Sequence, residues 1–540
     1  MKTRAALGNG AWLAASLPAW HRYGRALEHP DQTQRKILAR LIARNTASAY
    51  GRAHGFQEIS SYNQFRERVP IVSYEDLEPW ITRIMHGEPA ILTQEPVTRL
   101  VPTSGSTGGR KLIPFTAALQ REFNAAVGPW MVDLARRYPS VPLGPAYWSI
   151  SPAMPVAADE DSAIPIGFDD DSAYLGGIRK KLVESAFAVP SALRLVGDLD
   201  ASRYATLLCL LRQPELRLIS VWHPSFLALL LDALPPCWDE LLVDVASGEC
   251  PRLAAFPEEF RRVLRAPPQP ARACALGHAG PSNLSDLWPH LRVVSCWGDG
   301  HATLPLAELQ RRLPHAVVQP KGLLATEAFV SIPFAGQHPL AVTSHFFEFA
   351  DARGNTRLSH ELQTGESYAV IVTNAGGLWR YRLGDLVEVD GFVAATPSLR
   401  FLGREGGVSD LCGEKLAESF VTQAIQAVCA SLHFAPRFAM LAPDAGPDAH
   451  WFYALFVEGE SPHELPARLE EALRKNPHYA LARDLGQLGP VHCCETAEGA
   501  YDLFCQVGAS EGRRLGDIKP QALSARTDWR NHLAGLTPQT

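Results

Sequence analysis

The chain has 540 residues, of which 46% are hydrophobic, and a formal net charge of −6 at pH 7. A chain of this length is expected to form two or three domains with sizeable cores. The acidic balance excludes a general nucleic-acid binder, whose surface would be basic. The ten cysteines show no C-x-x-C spacing. The composition therefore favours a small-molecule enzyme of the cytoplasm with reduced thiols, without a zinc site or a disulfide framework.

The N-terminal residues combine two cations, Lys2 and Arg4, with an apolar run that ends at Trp20. This pattern superficially resembles a secretory signal, but glycines and Pro18 interrupt it. The sequence contains no 18-residue apolar stretch, so no membrane span is predicted. We expect a helix packed on the body of the protein, with a signal or an interfacial anchor as the alternative.

Residues 31–50 predict a second helix, because Ile37, Leu38, Leu41 and Ile42 recur at helical spacing. Asp31 is placed to cap its start.

The segment 103–111 is rich in hydroxyls and glycines and ends in two cations. Its residues are Thr103, Ser104, Gly105, Ser106, Thr107, Gly108, Gly109, Arg110 and Lys111. Backbone N–H groups in such a turn form an anion-binding nest, although the spacing is not that of a Walker A loop. Residues 100–101 and 112–115 read as flanking strands. We interpret the segment as a phosphate-binding loop at the tip of a hairpin, with a solvated surface loop as the alternative.

Beyond this hairpin, predicted strands alternate with helices, and a β-rich stretch follows. A smaller α+β pattern starts after about residue 404. The predicted elements are strands at 218–222, 291–295, 342–349, 368–373 and 386–389 and a helix at 226–234, followed by helices at 418–432 and 465–473 and strands at 437–442, 451–457 and 491–495. The pattern predicts an α/β fold with mixed sheets, divided into residues 1–403 and a smaller α+β domain of residues 404–540.

Four further segments carry candidate chemistry. Glu327 follows an apolar stretch, and a carboxylate near phosphates would help to hold Mg²⁺. Taken alone, it is better explained as a surface residue. Asp385 follows a glycine turn and can accept two ribose hydroxyls, while Arg382 can reach a phosphate. The alternative is an Arg–Asp pair that closes a hairpin. The glycine-rich span 401–418 is either a hinge or an ordinary loop. Lys519 is either solvated or delivered to a phosphate when a mobile domain closes.

Taken in order, these segments resemble the adenylate-forming superfamily of acyl-CoA synthetases and luciferases. The phosphate loop of that superfamily, T-S-G-[ST]-T-G-x-x-K, is matched at every defined position. Within it, the chain is most similar to the Gretchen Hagen three family of acyl acid–amido synthetases, which has plant and bacterial members. The matching motifs lie at residues 44–46, 50–52, 54–56, 69–71, 74–76, 87–88, 347–349, 381–385 and 516–520.

The resemblance implies a large domain with a β-barrel-like part that binds ATP and Mg²⁺, and a small mobile lid. A carboxylic acid would attack the α-phosphate of ATP, and an amino acid would then take the acyl group from the acyl-adenylate. Carried over by position, residues 103–108 and Lys111 would cradle the phosphates, and Thr326 and Glu327 would serve the α-phosphate and the metal. Tyr381, Arg382 and Asp385 would bind the nucleotide, with the ribose on Asp385. Arg404 would lie near the nucleotide at the domain junction, and Lys519 would act in adenylation.

The chain departs from the plant pattern before Glu327, where Leu323, Leu324, Ala325 and Thr326 replace the usual Tyr and paired Ser. We expect a cytoplasmic monomer that acts on a small carboxylic acid and an amino acid, without nucleic acid or stable membrane insertion. Three alternatives stay open: an acyl-CoA synthetase, a non-catalytic nucleotide-binding relative, and a hydrolase built on Ser510, which fits G-x-S-x-G. The sequence does not identify the acid or assign roles to His223, Phe226, Phe346 and Lys415.

Overall fold

A computed structural model describes residues 2–104, 110–149, 162–167, 184–195, 198–253, 256, 258–299, 302–405, 407–412, 414–446, 451–510, 518 and 520–533. Its first element is a helix, α1 (Lys2–Glu28). Tyr23 of this helix is fully buried, and its hydroxyl donates to the carbonyl of Leu340 over 2.9 Å. The prediction of a helix packed on the body is therefore confirmed. None of the described helices is both apolar enough and long enough to cross a bilayer.

The second helix, α2 (Pro30–Arg44), is shorter than predicted. Pro30 takes the first helical position, since its ring is preorganised for it. The cap position falls on His29, so the prediction that Asp31 caps the helix is wrong; Asp31 instead pairs with Arg35 at 2.7 Å. The chain leaves the helix at Asn45, whose side-chain amide donates back to Leu41.

Short helices then lead into a hairpin and a long helix. They are α3 (Ala49–Ala53), α4 (Tyr62–Arg68), α5 (Tyr74–Met85), the strands β1 (Val97–Ser104) and β2 (Arg110–Thr116), and α6 (Ala117–Arg137). The two strands pair antiparallel, as the apolar flanks of the loop predicted.

The middle of the chain forms a parallel sheet with helices packed on it. Its strands pair in chain order: β3 (Ala146–Trp148), β4 (Leu218–Ser220), β5 (Val293–Cys296) and β6 (Val317–Pro320). The helices are α7 (Leu199–Leu211), α8 (Pro224–Asp232), α9 (Trp238–Ser247), α10 (Glu258–Leu264), α11 (Pro270–Ala279), α12 (Leu284–Leu287) and α13 (Thr303–Arg312). Apolar residues of the helices pack against Ile219 and Val294 of the sheet. Because all four strands are parallel, their carboxyl ends lie at one edge of the sheet.

An antiparallel sheet follows, with the order β11-β10-β9-β7-β8. Its strands are β7 (Phe346–Ala350), β8 (Thr356–Arg357), β9 (Ser367–Thr373), β10 (Tyr381–Val393) and β11 (Thr396–Arg404). The predicted strand at 386–389 is the middle of the longer β10. Gly384, with a φ of +80°, lies where the pairing of β10 with β9 changes register between Arg382 and Leu386. A left-handed residue of this kind suits glycine and lets the strand continue through a bulge.

The C-terminal part has its own cores. It contains β12 (Val408–Ser409), β13 (Leu416–Ala417), α14 (Glu418–Ser431), β14 (Ala439–Ala445), β15 (Trp451–Glu458), α15 (Leu465–Leu473), α16 (Pro477–Asp484), β16 (His492–Thr496), α17 (Ala500–Ser510) and α18 (Trp529–Leu533). Strand β15 pairs antiparallel with β14 and parallel with β16. The predicted mixed α/β fold with a smaller α+β part is thereby confirmed, while the boundary between residues 403 and 404 stays a prediction.

Candidate active site

The hairpin β1–β2 joins the two ends of the candidate phosphate loop. Thr103 lies opposite Lys111 in the strand register, and Ser104 lies opposite Arg110. The remaining candidate residues of the loop, Gly105, Ser106, Thr107 and Gly108, lie outside the described residues. The hairpin base is thus as predicted, and phosphate binding by the loop stays a prediction.

Lys111 connects the hairpin to the start of α5. Its Nζ lies 5.5 Å from the ring centroid of Tyr74 and 3.9 Å from Oε1 of Glu75. The hydroxyl of Tyr74 accepts the backbone N–H of Leu112 over 2.9 Å. The side chain of Lys111 is half-buried, so its cation is held against an aromatic face at the base of the loop.

A cross-strand ion pair lies at the far end of the antiparallel sheet. Asp385 of β10 lies opposite Arg404 of β11, and Nε of Arg404 is 3.2 Å from Oδ1 of Asp385. The guanidinium also donates to the carbonyl of Leu383 over 3.2 Å. Asp385 is buried, whereas 38% of the Arg404 side chain remains exposed. A buried carboxylate and a reachable cation therefore meet where a nucleotide was predicted.

Glu327 belongs to the same electrostatic cluster. Its side chain is buried, and its carbonyl accepts the Nδ2 amide of Asn374 over 2.7 Å. The charge of Asp385 is the largest cause of the raised pKa of Arg404, and the charge of Glu327 adds to it. Burial, followed by the charge of Glu327, raises the pKa of Tyr381 well above its ordinary value. Tyr381 therefore stays a neutral hydrogen-bonding group near the carboxylate of Glu327 and the guanidinium of Arg404.

Two other candidates lie differently. Thr326, next to Glu327, is half-buried. Arg382 is exposed and forms a bidentate pair with Glu405, with both N···O distances at 2.7 Å. Its guanidinium is thus engaged by Glu405, while its neighbour Tyr381 is buried in the cluster.

The first residue of α14 brings the C-terminal part to the cluster. Burial raises the pKa of Glu418 to about 7, and the charge of Arg404 opposes this effect. The backbone N–H of Glu418 donates to the carbonyl of Gly407. Apart from the glycines around it, no sequence pattern indicated this proximity. Lys519 lies outside the described residues, and Lys415 is exposed with a φ of +46°.

The carboxyl edge of the parallel sheet carries a contact that sequence reasoning missed. Nζ of the buried Lys321, after β6, lies 4.9 Å from the ring centroid of Trp222, after β4. Strand order could have suggested it, because successive parallel strands end at the same edge. Nearby, Nδ1 of His223 accepts the N–H of Ser225 and caps α8.

Two aromatic residues to which the sequence assigned no role have packing positions. Phe226 packs against the core of the parallel sheet. Phe346 is fully buried against Tyr62 and Phe65, so it is a core residue.

Ser510 does not lie in a strand–turn–helix elbow. It is the last residue of α17, and its hydroxyl donates to the carbonyl of Val507 over 2.8 Å. A nucleophilic serine of the G-x-S-x-G type begins a helix after a strand. The described structure around Ser510 therefore gives the hydrolase alternative no support.

The donor set is suited to Mg²⁺ only together with a substrate. Within the described ranges, no group of three or more His, Cys, Asp or Glu side chains could hold a metal ion by itself. Mg²⁺ commonly binds through one or two carboxylates plus substrate phosphates and waters. The buried carboxylate of Glu327 fits that role.

Comparison with known proteins places these elements in one family. The GH3 family N-terminal domain matches residues 19–315, the central domain residues 338–404 and the C-terminal domain residues 419–528. A probable indole-3-acetic acid-amido synthetase GH3.4 of Oryza sativa subsp. japonica is 26% identical over 590 residues, covering 95% of this chain and 90% of the relative. The indole-3-acetic acid-amido synthetase GH3.4 of Arabidopsis thaliana is 24% identical over 431 residues, covering 74% of this chain and 71% of the relative.

The fold is also similar to that of a solved structure, AtGH3.15 acyl acid amido synthetase in complex with 2,4-DB. The TM-score is 0.85 at 19% identity, with 98% of this chain and 96% of that chain covered. A likeness at this identity concerns the fold alone. The three domain matches together span most of the sequence in a single order, and the chain belongs to the GH3 family.

Proposed function

We propose that the protein is an ATP-dependent acyl acid–amido synthetase. It adenylates a carboxylic acid and transfers the acyl group to the amine of an amino acid. The observation that supports the proposal is the cluster of Glu327, Tyr381, Asp385 and Arg404. It lies in a chain of the GH3 family. The two plant relatives, both indole-3-acetic acid-amido synthetases by name, also support an amido synthetase.

Adenylation activates the acid because a carboxylate has no usable leaving group. A carboxylate oxygen attacks the α-phosphorus of ATP, and the bond from that phosphorus to the pyrophosphate oxygen breaks. The amine nitrogen then attacks the acyl carbon, the bond to AMP breaks, and the nitrogen gives up a proton. Neither step requires a covalent intermediate on a side chain.

The residues of this chain have electrostatic and positioning roles in the proposal. In this proposal, Lys111 and Arg404 stabilise the negative charge that grows on the phosphates, which is usually the largest catalytic effect. Asp385 accepts ribose hydroxyls, and Tyr381 donates from a neutral hydroxyl. Glu327, together with phosphate oxygens, would hold Mg²⁺, which when bound neutralises phosphate charge. Lys519 adds a cation for adenylation when the C-terminal part closes as a lid.

Product analysis tests the proposal directly. The protein is incubated with Mg-ATP, a panel of aryl and alkyl acids, and either amino acids or coenzyme A, and the products are identified by mass spectrometry. An N-acyl amino acid together with AMP is the expected result. An acyl-CoA would establish the thioester-forming alternative, and acid-dependent AMP from no combination would favour a non-catalytic relative.

The role of Lys519 has its own test. We expect Lys519→Ala to slow acid-dependent exchange of pyrophosphate into ATP by about 100-fold or more, because it removes a charge that acts only in the transition state. Binding of ATP, measured by calorimetry, is expected to persist. The matched control is Lys475→Ala, an exposed lysine of the C-terminal part. Exchange at the wild-type rate in Lys519→Ala would exclude the assigned role.

We also continue to predict that the enzyme is cytoplasmic and monomeric. Its mass in solution tests whether it is a monomer.

A further inference from the structure

A tight turn of residues 324–329, the Glu327 turn, carries the candidate metal ligand. Its two ends face each other in an antiparallel bridge, and the backbone N–H of Ala325 donates to the carbonyl of Ala328 over 2.9 Å. These contacts close the turn, but neither of them involves Glu327 itself. The position of the candidate metal ligand therefore also depends on groups outside the turn.

A buried asparagine holds the backbone of Glu327. Nδ2 of Asn374, whose side chain is fully buried, donates to the carbonyl of Glu327 over 2.7 Å. Oδ1 of Asn374 accepts the backbone N–H groups of Gly376 and Leu378 over 2.9 and 3.2 Å. Because two N–H donors face the amide oxygen, the orientation of the amide group is determined and its nitrogen is directed at Glu327. The side chain of Asn374 thus joins its own turn to the Glu327 turn.

The Asn374 turn, residues 374–378, is packed against the base of the candidate phosphate hairpin. A Cβ atom on Gly376 would come within 2.8 Å of the carbonyl oxygen of Pro114 in β2, so glycine is needed for this close approach of two backbones. The hydroxyl of Thr116, at the end of β2, donates to the carbonyl of Ala375 over 3.1 Å. The Asn374 turn is therefore fixed to β2.

A second set of contacts joins the Glu327 turn to α6, the helix that follows β2. The N–H of Phe329 donates to Nε2 of the fully buried His345 over 3.3 Å. Nδ1 of His345 lies 2.9 Å from Oε2 of Glu122 in α6, and the same oxygen accepts the N–H of Ala375 over 2.9 Å. Two hydrogen-bonded routes thus connect the hairpin and its following helix with the Glu327 turn.

We propose that Asn374 is a positioning residue for the metal-bound nucleotide. Its amide fixes the carboxylate of Glu327 relative to the phosphate hairpin, so that this carboxylate and the phosphates on the loop can share one Mg²⁺. Accurate placement matters because Mg²⁺ requires near-ideal octahedral geometry. Residues that orient a metal ligand typically change metal affinity about 10- to 100-fold. We expect the lower end of that range, because Asn374 acts through the backbone. The inference rests on the role that the proposed function gives to Glu327.

Calorimetry with a non-reactive nucleotide tests the proposal without turnover. The probe is an ATP analogue with a methylene group between the α- and β-phosphates, titrated into the full chain with Mg²⁺ and again with EDTA. The quantity of interest is the metal gain, the ratio of the dissociation constant in EDTA to that in Mg²⁺. In Asn374→Ser the hydroxyl can still accept an N–H of its own turn, but it is too short to reach the carbonyl of Glu327. We expect the metal gain to fall about tenfold, with unchanged affinity in EDTA. Asn374→Ala is expected to lower the metal gain at least as far.

The matched control is Ser331→Ala. Oγ of Ser331, which is fully buried, accepts the N–H of Leu323 over 3.0 Å. The variant therefore removes a buried hydrogen bond from the same segment, on the far side of the turn from Asn374. We expect it to lower the urea midpoint of unfolding and to leave the metal gain unchanged. Glu327→Gln is the reference variant and is expected to lower the metal gain at least as far as Asn374→Ser.

Two kinds of outcome would overturn the proposal. In Asn374→Ser, an unchanged metal gain, or an equal loss of affinity with and without Mg²⁺, would show that Asn374 does not position the metal ligand. If Glu327→Gln also kept the wild-type metal gain, the metal role of Glu327 in the proposed function would fail together with this inference. If Glu327→Gln alone lost the metal gain, only the positioning role would fail. Absence of an amide product in the synthesis assay would leave the result unaffected, because neither acid nor amine is present.

Discussion

Asp385→Ala separates a nucleotide contact from a purely structural ion pair. The carboxylate of Asp385 is 8% exposed and lies 3.2 Å from Nε of Arg404. If it also accepts a ribose hydroxyl, its removal deletes a hydrogen bond to a charged acceptor. Such a bond contributes about 1.5–3 kcal/mol, which corresponds to about 10- to 150-fold weaker ATP binding.

The same strand pair offers a matched control. Glu388 of β10 lies opposite Arg400 of β11 and pairs with it at 2.8 Å, but its side chain is 24% exposed and that of Arg400 is 49% exposed. Glu388→Ala thus removes a cross-strand ion pair of the same kind, outside the cluster. We expect it to cost at most about 1 kcal/mol of stability and to leave ATP binding unchanged. The assay is calorimetric titration of each variant with ATP, after circular dichroism has shown that both are folded.

The comparison gives a clear criterion. If Asp385→Ala bound ATP as tightly as the wild type, the ribose assignment would be wrong and Asp385 would serve to hold Arg404. If both variants lost ATP affinity equally, the loss would come from the sheet rather than from a nucleotide contact.

Three further predictions concern stability. Arg380→Met leaves the buried carboxylate of Glu348 without its bidentate partner, so we expect a loss of about 3–5 kcal/mol, seen as a lower urea midpoint; an unchanged midpoint would contradict this. Tyr453→Phe removes a hydroxyl that donates to Glu414, with an expected loss of about 1.5–3 kcal/mol in the same assay. The pKa of Glu418 is raised from its ordinary 4.5 to about 7, so the folded protein holds the carboxyl proton more tightly than the unfolded chain does. The protonated carboxyl group therefore contributes fully to stability below pH 4.5, and this contribution is lost as the pH rises through 7. Glu418→Gln is therefore expected to raise the thermal midpoint more at pH 8 than at pH 5, and equal shifts at both would refute the assignment.

The helices and strands were predicted well because each is determined by residues that are close together in the sequence. Apolar flanks around a polar, glycine-rich loop predicted the hairpin β1–β2, and alternation or helical spacing predicted the C-terminal strands and helices. The predictions failed where a neighbouring residue favoured a different start or a different backbone conformation for the element. Pro30 moved the start of α2 and removed Asp31 from the cap, and Gly384 turned an expected turn into a bulge within β10.

The site was predictable as a set of residue types but not as a set of partners. The motif around residues 381–385 indicated a nucleotide contact, and in the structure Arg382 pairs with Glu405 and Asp385 with Arg404. Which arginine meets which carboxylate depends on the register of β10 with β11, and no pattern within either strand determines that register.

Arg404 shows why long-range electrostatics also escape a sequence. Its guanidinium is influenced by Asp385 on the neighbouring strand, by Glu327 from a distant loop and by Glu418 at the start of α14. The same guanidinium thus attracts one carboxylate of the sheet, one of the candidate metal site and one of the C-terminal part. A phosphate bound to Arg404 would weaken the attraction between Arg404 and Glu418. Conversely, protonation of Glu418 would remove this attraction and leave the guanidinium available to a phosphate. Because both effects act through the same guanidinium, we expect Arg404→Lys, which keeps the charge but loses the fork geometry, to weaken nucleotide binding. We also expect it to enlarge the loss of stability with rising pH, because a weaker contact opposes the raised pKa of Glu418 less. An effect on only one of the two would show that the cluster does not act as a unit.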